Sequence, residues 1–266
     1  MTALRVGDAE VARYVEEPDL DIRLAPRPHL HPVRTLSGTV VTDSLCYDHP
    51  WHMGASMTMA DVAGVNFWGG RTYVRDEGYI WLDDHGRVRH LASKPIDGGF
   101  LEHLHWCDAG DRILLREERA VTARAAARGW ELTFAYELSA PGEADVVLGS
   151  PATHGRSGAV GYGGFFWRTP SGEAAAFTGS GADPHGSSDP WLALTVDGSY
   201  TLVFRGLRDA DRWFARTEGY TGVCAALCWS DPLVIRPGEP LSREIRVLVA
   251  DGVLSRGEVT AALAAG

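Results

Sequence analysis

The sequence predicts an all-β fold, an antiparallel β-sandwich with one short helix at its C-terminus. Short runs rich in Val, Ile, Thr and aromatic residues recur along the chain, and turn-forming residues separate them. The 31 glycines and 14 prolines interrupt these runs, and helical periodicity is nearly absent before the last dozen residues. Many short strands at this spacing are typical of a β-sandwich.

The strands are predicted in order from their composition and from the turns between them. The first is SGTVVTDSL. The segment GRTYVRDEGYIWLDDHGRVRHLAS is predicted to form two strands around DDHG. DRILLREERAVTAR and GWELTFAYELSA flank AARG, which predicts a hairpin with Gly129 in its turn. Further strands are predicted in ADVVLGS, GGFFWRTP, SYTLVFRGL, GYTGVCAALCW and LSREIRVLVADG.

The helix is predicted in SRGEVTAALAA, near the end of the chain. Ser255 is followed three residues later by Glu258, the spacing of a capping box, and an Ala/Leu-rich run comes next. The chain of 266 residues suits one large β-domain. With no internal repeat or low-complexity linker in the sequence, residues 1–266 are predicted to form a single β-sandwich domain.

Charge and cysteine content exclude several classes of protein. The net charge is −10 and Lys and Arg do not cluster, so neither nucleic acid nor an anionic membrane is an expected partner. No run of 18 apolar residues is present, and the first residues lack the apolar core of a signal peptide. The four cysteines form no C-x-x-C pair, which favours a reduced, cytoplasmic protein.

Six of the ten histidines occur as close pairs. Residues at i and i+2 of a strand share a face, so the pair His29/His31 and the pair His103/His105 should each project together. His49 and His52 flank Pro50 in DHPWHMG, and a bend there would aim both rings at one point. Imidazoles serve as metal ligands or as acid–base groups near neutral pH.

His31, His49 and His52 are therefore candidates either to hold a divalent metal or to act directly as acid and base. The alternative is that these histidines are buried and hydrogen-bonded for structural reasons. His85 and His90 are expected at a hairpin surface.

Carboxylates and tryptophans complete the candidate site. Glu117 and Glu118 alternate faces on a predicted strand, and Glu118 is the candidate catalytic partner of the histidines. Asp48 adjoins His49 and could orient its ring. The chain has nine tryptophans, of which Trp51 and Trp68 flank the histidine motif; flat indole faces suit sugar rings.

Several segments resemble the soluble bacterial "PmoA family" of uncharacterised proteins. They are RPHLHPVRTLSGTVVT, DHPWHMG, DVAGVNFWGG and YGGFFWR. The label that this family carries, methane oxygenase, does not fit, because a membrane oxygenase subunit needs spanning helices. The resemblance implies a β-sandwich related to the galactose-mutarotase supersandwich, acting alongside an NAD-dependent sugar oxidoreductase. The motif positions are Arg27, His29, His31, Asp48, His49, His52, Asp61, Asn66 and Arg168.

The predicted function is that of an enzyme on a sugar or an oxidised 3-keto glycoside, by elimination, hydrolysis or isomerisation. The alternatives are an aldose mutarotase or epimerase, and a non-catalytic sugar-binding accessory protein. The catalytic candidates are His31, His49, His52 and Glu118. The substrate-binding candidates are Arg27, His29, Asp48, Trp51, Asn66, Trp68, His103, His105 and Arg168. No nucleotide cofactor is expected, because no G-x-G-x-x-G follows a strand and no P-loop occurs.

Overall fold

Two large antiparallel sheets face each other in the computed structural model, which describes residues 1–265 of the chain. A short 3-10 helix, Ile22–Leu24, follows the second strand. In chain order the remaining elements are β1 (Thr2–Val6), β2 (Ala9–Val15), β3 (His29–Val33), β4 (Ala55–Thr58), β5 (Asp61–Val62), β6 (Thr72–Val74), β7 (Gly78–Ile80), β8 (Arg87–Ile96), β9 (Gly99–Cys107), β10 (Ile113–Ala126), β11 (Gly129–Ser139), β12 (Val146–Gly149), β13 (Gly164–Arg168), β14 (Ala174–Thr178), β15 (Trp191–Val196), β16 (Tyr200–Arg205), β17 (Arg212–Arg216), β18 (Gly222–Ala226), β19 (Leu233–Ile235), β20 (Leu241–Asp251) and α1 (Arg256–Ala264).

The sheet order confirms the predicted antiparallel β-sandwich. Sheet I has seven strands in the order β1-β2-β3-β4-β13-β18-β17, and sheet II has eight in the order β14-β15-β16-β20-β11-β10-β9-β8. Two small sheets, β19-β12-β5 and β6-β7, accompany them. No helix within residues 1–265 is long and apolar enough to cross a membrane.

The long hairpin was predicted correctly from its turn. Strands β10 and β11 pair in unbroken register from Arg116↔Ser139 to Ala126↔Gly129, and Gly129 has φ +143°, which glycine adopts without strain. The segment before it differs from the prediction of two strands around DDHG. Strands β6 and β7 form a small hairpin of their own, turning at Asp76 and Gly78 with φ of +66° and +81°.

The C-terminal helix also begins where the sequence predicts. The Ser255 side chain accepts from the backbone N–H of Glu258, and the Glu258 carboxylate accepts in return from the backbone N–H of Ser255, completing the capping box. Val259 is fully buried and belongs to a cluster with Leu248 and Ala250 of β20. The helix thus covers part of the outer face of sheet II.

Successive side chains of the sheet I strands alternate between two apolar clusters, one on each face of the sheet. Phe165 and Trp167 of β13 point into the main core between the sheets, whereas Phe166 belongs to a separate cluster with Trp68 and Cys224. Successive side chains of a strand lie on opposite faces. The second cluster therefore lies on the outer face of sheet I, where it forms the floor beneath the loops that carry the histidine motif.

Candidate functional site

A pocket of about 530 Å³ opens on this outer face of sheet I. It is hereafter the aromatic pocket. Its wall consists of seven aromatic side chains, two histidines, three arginines and one glycine. They are Trp51, Trp68, Trp81, Tyr79, Tyr162, Tyr220, Phe214, His49, His52, Arg71, Arg156, Arg216 and Gly69.

The motif DHPWHMG forms the turn that places both histidines in this wall. The backbone N–H of His52 donates to the carbonyl of His49 at 2.9 Å, closing the turn around Pro50. Leu45 N–H then donates to the carbonyl of His52 at 2.9 Å, which returns the chain towards β4. The two imidazole rings stack with centroids 4.7 Å apart and an interplanar angle of 9°. The turn around Pro50 thus brings both imidazole rings into the wall of the aromatic pocket.

Asp48 orients His49 and is itself held by Arg168. His49 Nδ1 lies 2.8 Å from Asp48 Oδ2, so the ring donates through Nδ1 and leaves Nε2 without its proton in the neutral form. Arg168 Nη2 donates to both Asp48 oxygens at 3.1 and 3.2 Å. Partial burial opposes ionisation of Asp48, but the hydrogen bond from His49 and the charge of Arg168 outweigh it and lower its pKa. Asp48 is therefore an anion at neutral pH.

His52 differs from His49 in burial and charge. Its side chain is 1% exposed and packs against Trp68, Phe166 and Tyr220. Burial, reinforced by the positive charges of neighbouring groups, lowers the pKa of His52 well below its ordinary value. His52 is thus neutral at physiological pH, and its buried Nδ1 has no hydrogen-bond partner among the described residues.

Arg27 fixes the backbone of both pocket tryptophans. Its guanidinium is fully buried and donates to the carbonyls of Trp51 at 2.9 Å and Trp68 at 3.4 Å, and to Ser56 Oγ at 3.1 Å. No carboxylate within residues 1–265 pairs with it. Burial lowers the pKa of Arg27. Predicted to bind substrate, Arg27 instead positions the wall that would do so.

Asn66 has a comparable supporting role, and its predicted contact with substrate stays a prediction. Its Oδ1 accepts from the backbone N–H groups of Trp68 at 2.9 Å and Gly69 at 2.8 Å, and its Nδ2 donates to Thr72 Oγ1. These bonds shape the corner that presents the Trp68 ring. A buried amide engaged in this way has little capacity left for a ligand.

His29 and His31, predicted to join the site, lie outside the aromatic pocket. His29 is 5% exposed and donates through Nδ1 to the carbonyl of Arg27 at 3.0 Å, and burial lowers its pKa to about 4. His31 Nδ1 pairs with Thr42 Oγ1 at 3.0 Å. Both rings have partners close to β3 in the chain, Arg27 before it and Thr42 after it. The structure does not bring His31 into a ligand set with His49 and His52. Across residues 1–265, no group of three His, Cys, Asp or Glu side chains is arranged to hold a metal ion.

Glu118, His103 and His105 lie on sheet II and not beside His49. Glu118 pairs in register with His103, and Glu118 Oε2 is 3.7 Å from His103 Nδ1. Both side chains are about half exposed. The inward neighbour Glu117 is buried in an ion pair with Arg119. The alternation of the two glutamates was predicted correctly, but it points Glu118 to solvent on a sheet that does not border the aromatic pocket.

Several residues of the aromatic pocket were not predicted from sequence. Tyr79 and Tyr162 share a hydrogen bond between hydroxyls at 2.9 Å, and Arg156 Nη1 donates to Tyr79 at 2.7 Å. Tyr220 lies 5.0 Å from both histidine rings. Tyr79 lies in β7 and the other three residues lie in loops far apart in the chain. Only the YGGFFWR segment, which begins at Tyr162, gave a signal in the sequence.

A second cavity of about 440 Å³ adjoins the aromatic pocket. The two share Trp68, Gly69, Arg71 and Tyr162 as a common wall. Within the second cavity His154 Nε2 and Asp61 Oδ2 are 2.8 Å apart. Asp61, a motif position, therefore borders this neighbouring cavity and not the histidine stack.

Comparison with known proteins identifies one family. The model of DUF6807, a family of unknown function, matches residues 1–264. The resemblance to the PmoA family finds no support there. No curated protein matches the chain.

Among solved structures, the GH36 α-galactosidase AgaA from Geobacillus stearothermophilus is 11% identical with a TM-score of 0.41, covering 74% of this chain and 32% of its own. The galactosidase domain of the α-galactosidase-sucrose kinase AgaSK is 7% identical with a TM-score of 0.37, covering 81% of this chain and 32% of its own. The chain thus spans about a third of the length of either structure, and similarity at this level assigns it no activity.

Proposed function

The chain belongs to DUF6807, a family of unknown function, and we propose that it is a carbohydrate-active enzyme that uses His49 as its proton carrier. The observation that carries the proposal is the Asp48–His49 hydrogen bond at the wall of the aromatic pocket. An ionised carboxylate on Nδ1 fixes the tautomer and strengthens Nε2 as a base.

The shape and lining of the aromatic pocket favour a sugar. Its volume of about 530 Å³ falls within the range of small-molecule sites, roughly 300–1,000 Å³. Indole and phenol rings present apolar faces to sugar C–H groups while their N–H and O–H edges can bond hydroxyls. Trp51 and Trp81 meet at 90° with centroids 6.4 Å apart, so the wall offers ring faces in two directions.

We propose elimination from a 3-keto glycoside as the reaction. The ketone at C3 acidifies the C2 proton, and His49 Nε2 accepts that proton as the C2–H electron pair forms an enolate. Expulsion of the C1 oxygen then breaks the C1–O bond and creates the C1=C2 double bond. The imidazolium of His49 returns its proton to the leaving oxygen, so the enzyme is regenerated and all atoms are balanced.

Tyr220 is the proposed stabiliser of the enolate. Burial raises the pKa of Tyr220 above its ordinary value, so the hydroxyl stays protonated and can donate to a developing oxyanion. Its ring lies 5.0 Å from that of His49. Because a 3-keto sugar is the product of a dehydrogenation, an NAD-dependent sugar oxidoreductase is the proposed supplier of substrate.

A non-catalytic sugar-binding role is the second candidate. It is favoured by the absence of Asp and Glu from the wall of the aromatic pocket, since a mutarotase or epimerase would need a second ionisable group beside His49. Burial lowers the pKa of His52 well below its ordinary value, so its ring is too weak a base to provide that group.

The test is incubation of the purified protein with 3-keto glucosides and with simple aldoses, followed by NMR. Wild-type protein should release the aglycone, and His49→Gln should lower the rate by a factor of about 10² to 10⁴. His103→Gln, an exposed histidine on sheet II, is the matched control and should retain full activity. A chelator added in parallel tests whether a divalent metal assists. Sugar binding without turnover would favour the accessory role, and no binding of any sugar would contradict both.

A further inference from the structure

The wall of the aromatic pocket is cationic in a protein that is acidic as a whole. The chain carries 35 Asp and Glu against 25 Lys and Arg, yet the charged side chains lining the pocket are all arginines, Arg71, Arg156 and Arg216. A surface of net charge −10 would by composition place more carboxylates than guanidinium groups around a cavity of this size. The reversed sign at this one place points to a ligand of negative charge.

These three arginines are not neutralised within the described chain. None of them forms an ion pair with a carboxylate of residues 1–265. Arg156 donates through Nη1 to the Tyr79 hydroxyl at 2.7 Å and stacks over the Tyr79 ring at 4.8 Å, while Arg216 lies over Phe214 at 5.5 Å. Aromatic stacking holds a guanidinium in place without using its N–H donors. Arg156 therefore keeps most of its five donors for a ligand.

Buried groups behind the wall add a second, independent observation. Arg168 is 1% exposed, and its Nε and Nη1 have no hydrogen-bond partner among the described residues. The guanidinium lies over the Tyr220 ring at 4.9 Å, and its charge contributes to the lowered pKa of His52. Arg27 is a fully buried cation that bonds only neutral acceptors. Arg168 pairs with Asp48 through Nη2 alone and keeps two unused donors, and Arg27 has no counter-ion. Both cations lie beside a pocket whose lining holds no carboxylate.

We infer that the ligand of the aromatic pocket is an anionic carbohydrate, a sugar that carries a carboxylate or a phosphate group. The sugar part of this inference rests on the proposed function, whereas the negative charge rests on the arginines alone. The anionic group lies among Arg71, Arg156 and Arg216 at the rim, and the ring stacks on the tryptophans beside His49. Guanidinium groups bind carboxylate and phosphate with paired, charge-assisted hydrogen bonds.

The experiment compares sugars that differ in charge but share a ring. Glucuronate, its neutral methyl ester, glucose 6-phosphate and glucose are titrated into the full-length protein by calorimetry. An anionic member should bind at least about tenfold more tightly than its neutral counterpart, and the preference should shrink at high salt. Tighter binding of glucuronate identifies a carboxylate ligand, and tighter binding of glucose 6-phosphate identifies a phosphate.

Variants of the arginines locate the charge. Arg156→Gln, Arg71→Gln and Arg216→Gln should each reduce the preference for the anion, measured as the ratio of the affinities for the charged sugar and its neutral counterpart in the same variant. Arg236→Gln is the matched control, because Arg236 is 61% exposed and lies outside the pocket. Equal affinity for glucuronate and its ester, together with equal affinity for glucose 6-phosphate and glucose, would overturn the inference and leave the proposed function standing. Failure of every sugar to bind would overturn both, and equal losses in Arg156→Gln and Arg236→Gln would overturn the assignment to these arginines.

Discussion

His49 and His52 stack face to face, 4.7 Å apart and within 9° of parallel. Two imidazolium rings in this arrangement would repel each other. The pair can therefore carry one positive charge at modest cost, whereas a second charge is strongly disfavoured. Burial keeps the inner ring, His52, neutral. Asp48 bonds the outer ring, His49. The geometry therefore distinguishes the two histidines: in the proposed reaction His49 carries the proton, and His52 provides a rigid neutral surface.

Asp48→Asn should lower turnover of the 3-keto glycoside by about tenfold to a hundredfold. The amide cannot stabilise the imidazolium that forms when His49 accepts a proton. Asp48 is partly exposed, but the Arg168 guanidinium that it pairs with is 1% exposed, so the free energy of unfolding should also fall, by about 1–3 kcal/mol. Steady-state kinetics and urea denaturation measure the two effects. A rate equal to that of the wild type would contradict the role of Asp48.

Acid should destabilise the protein before its carboxylates are protonated. Burial depresses the pKa values of His29, to about 4, and of His52 in the folded state. The unfolded chain binds these protons below about pH 6.5. The stability that the two neutral rings contribute is complete above that pH and is lost as the pH falls towards the folded pKa. The free energy of unfolding should fall by up to about 1.4 kcal/mol per pH unit for each of the two histidines.

Urea denaturation at pH 7.5 and pH 5 measures this dependence. In His29→Gln, the fall in stability between pH 7.5 and pH 5 should be smaller by the contribution of one histidine. The variant also loses the hydrogen bond from His29 to the Arg27 carbonyl, which lowers its stability at both pH values. The comparison is between slopes, so a uniform destabilisation does not affect it. An unchanged pH dependence in His29→Gln would show that the ring is already charged in the folded protein.

Local signals in the sequence were sufficient for the elements that depend on neighbours in the chain. Ser255 and Glu258 predicted the helix start because both bonds of a capping box lie within one turn. Gly129 predicted the β10–β11 turn because its φ of +143° disfavours other residues. For His85 the local sequence did not predict the burial of the side chain. It was expected on a hairpin surface, yet it is 3% exposed and donates to the carbonyl of Gly70, since the chain folds back over it.

The candidate site could be predicted only where its residues are close in the chain. Asp48, His49, Trp51 and His52 lie within one turn, and their proximity was visible in DHPWHMG. The three arginines, two in separate loops and Arg216 at the end of β17, have no common motif, so tertiary packing alone gathers them. Glu118 was misplaced because alternation gives the face of a strand but not which sheet the strand joins.

Arg119→Met should destabilise the fold by about 3–5 kcal/mol. Arg119 is fully buried and donates from Nε and Nη2 to the two oxygens of Glu117 at 2.7 and 2.9 Å, and from Nη1 to the Tyr14 hydroxyl at 2.6 Å. Its removal leaves a buried carboxylate without a counter-ion.

Arg116→Met on the same strand is the matched control for Arg119→Met. Arg116 is exposed, so the loss should be under about 0.5 kcal/mol. The double variant Glu117→Gln/Arg119→Met should recover part of the stability that Arg119→Met loses, because no unpaired charge is left. Equal midpoints of urea denaturation for Arg116→Met and Arg119→Met would contradict the prediction.

Gly70→Ala should weaken sugar binding by displacing Trp51. A Cβ at this position would lie 2.6 Å from Trp51 Cδ2 and Cε2, so the indole must leave its place in the pocket wall. Gly70 also has φ +71°, which costs alanine about 1–2 kcal/mol regardless of contacts.

Gly238→Ala is the control that separates strain from displacement of Trp51. Gly238 has φ +78° and no atom within 4 Å of the point that an alanine methyl group would occupy. Both variants should lose the stability that the backbone strain costs, and Gly70→Ala should lose more because its methyl group also displaces Trp51. Only Gly70→Ala should raise the dissociation constant for the sugar, by about tenfold or more. Calorimetric titration of both variants measures this difference, and equal dissociation constants would mean that Trp51 does not form part of the binding surface.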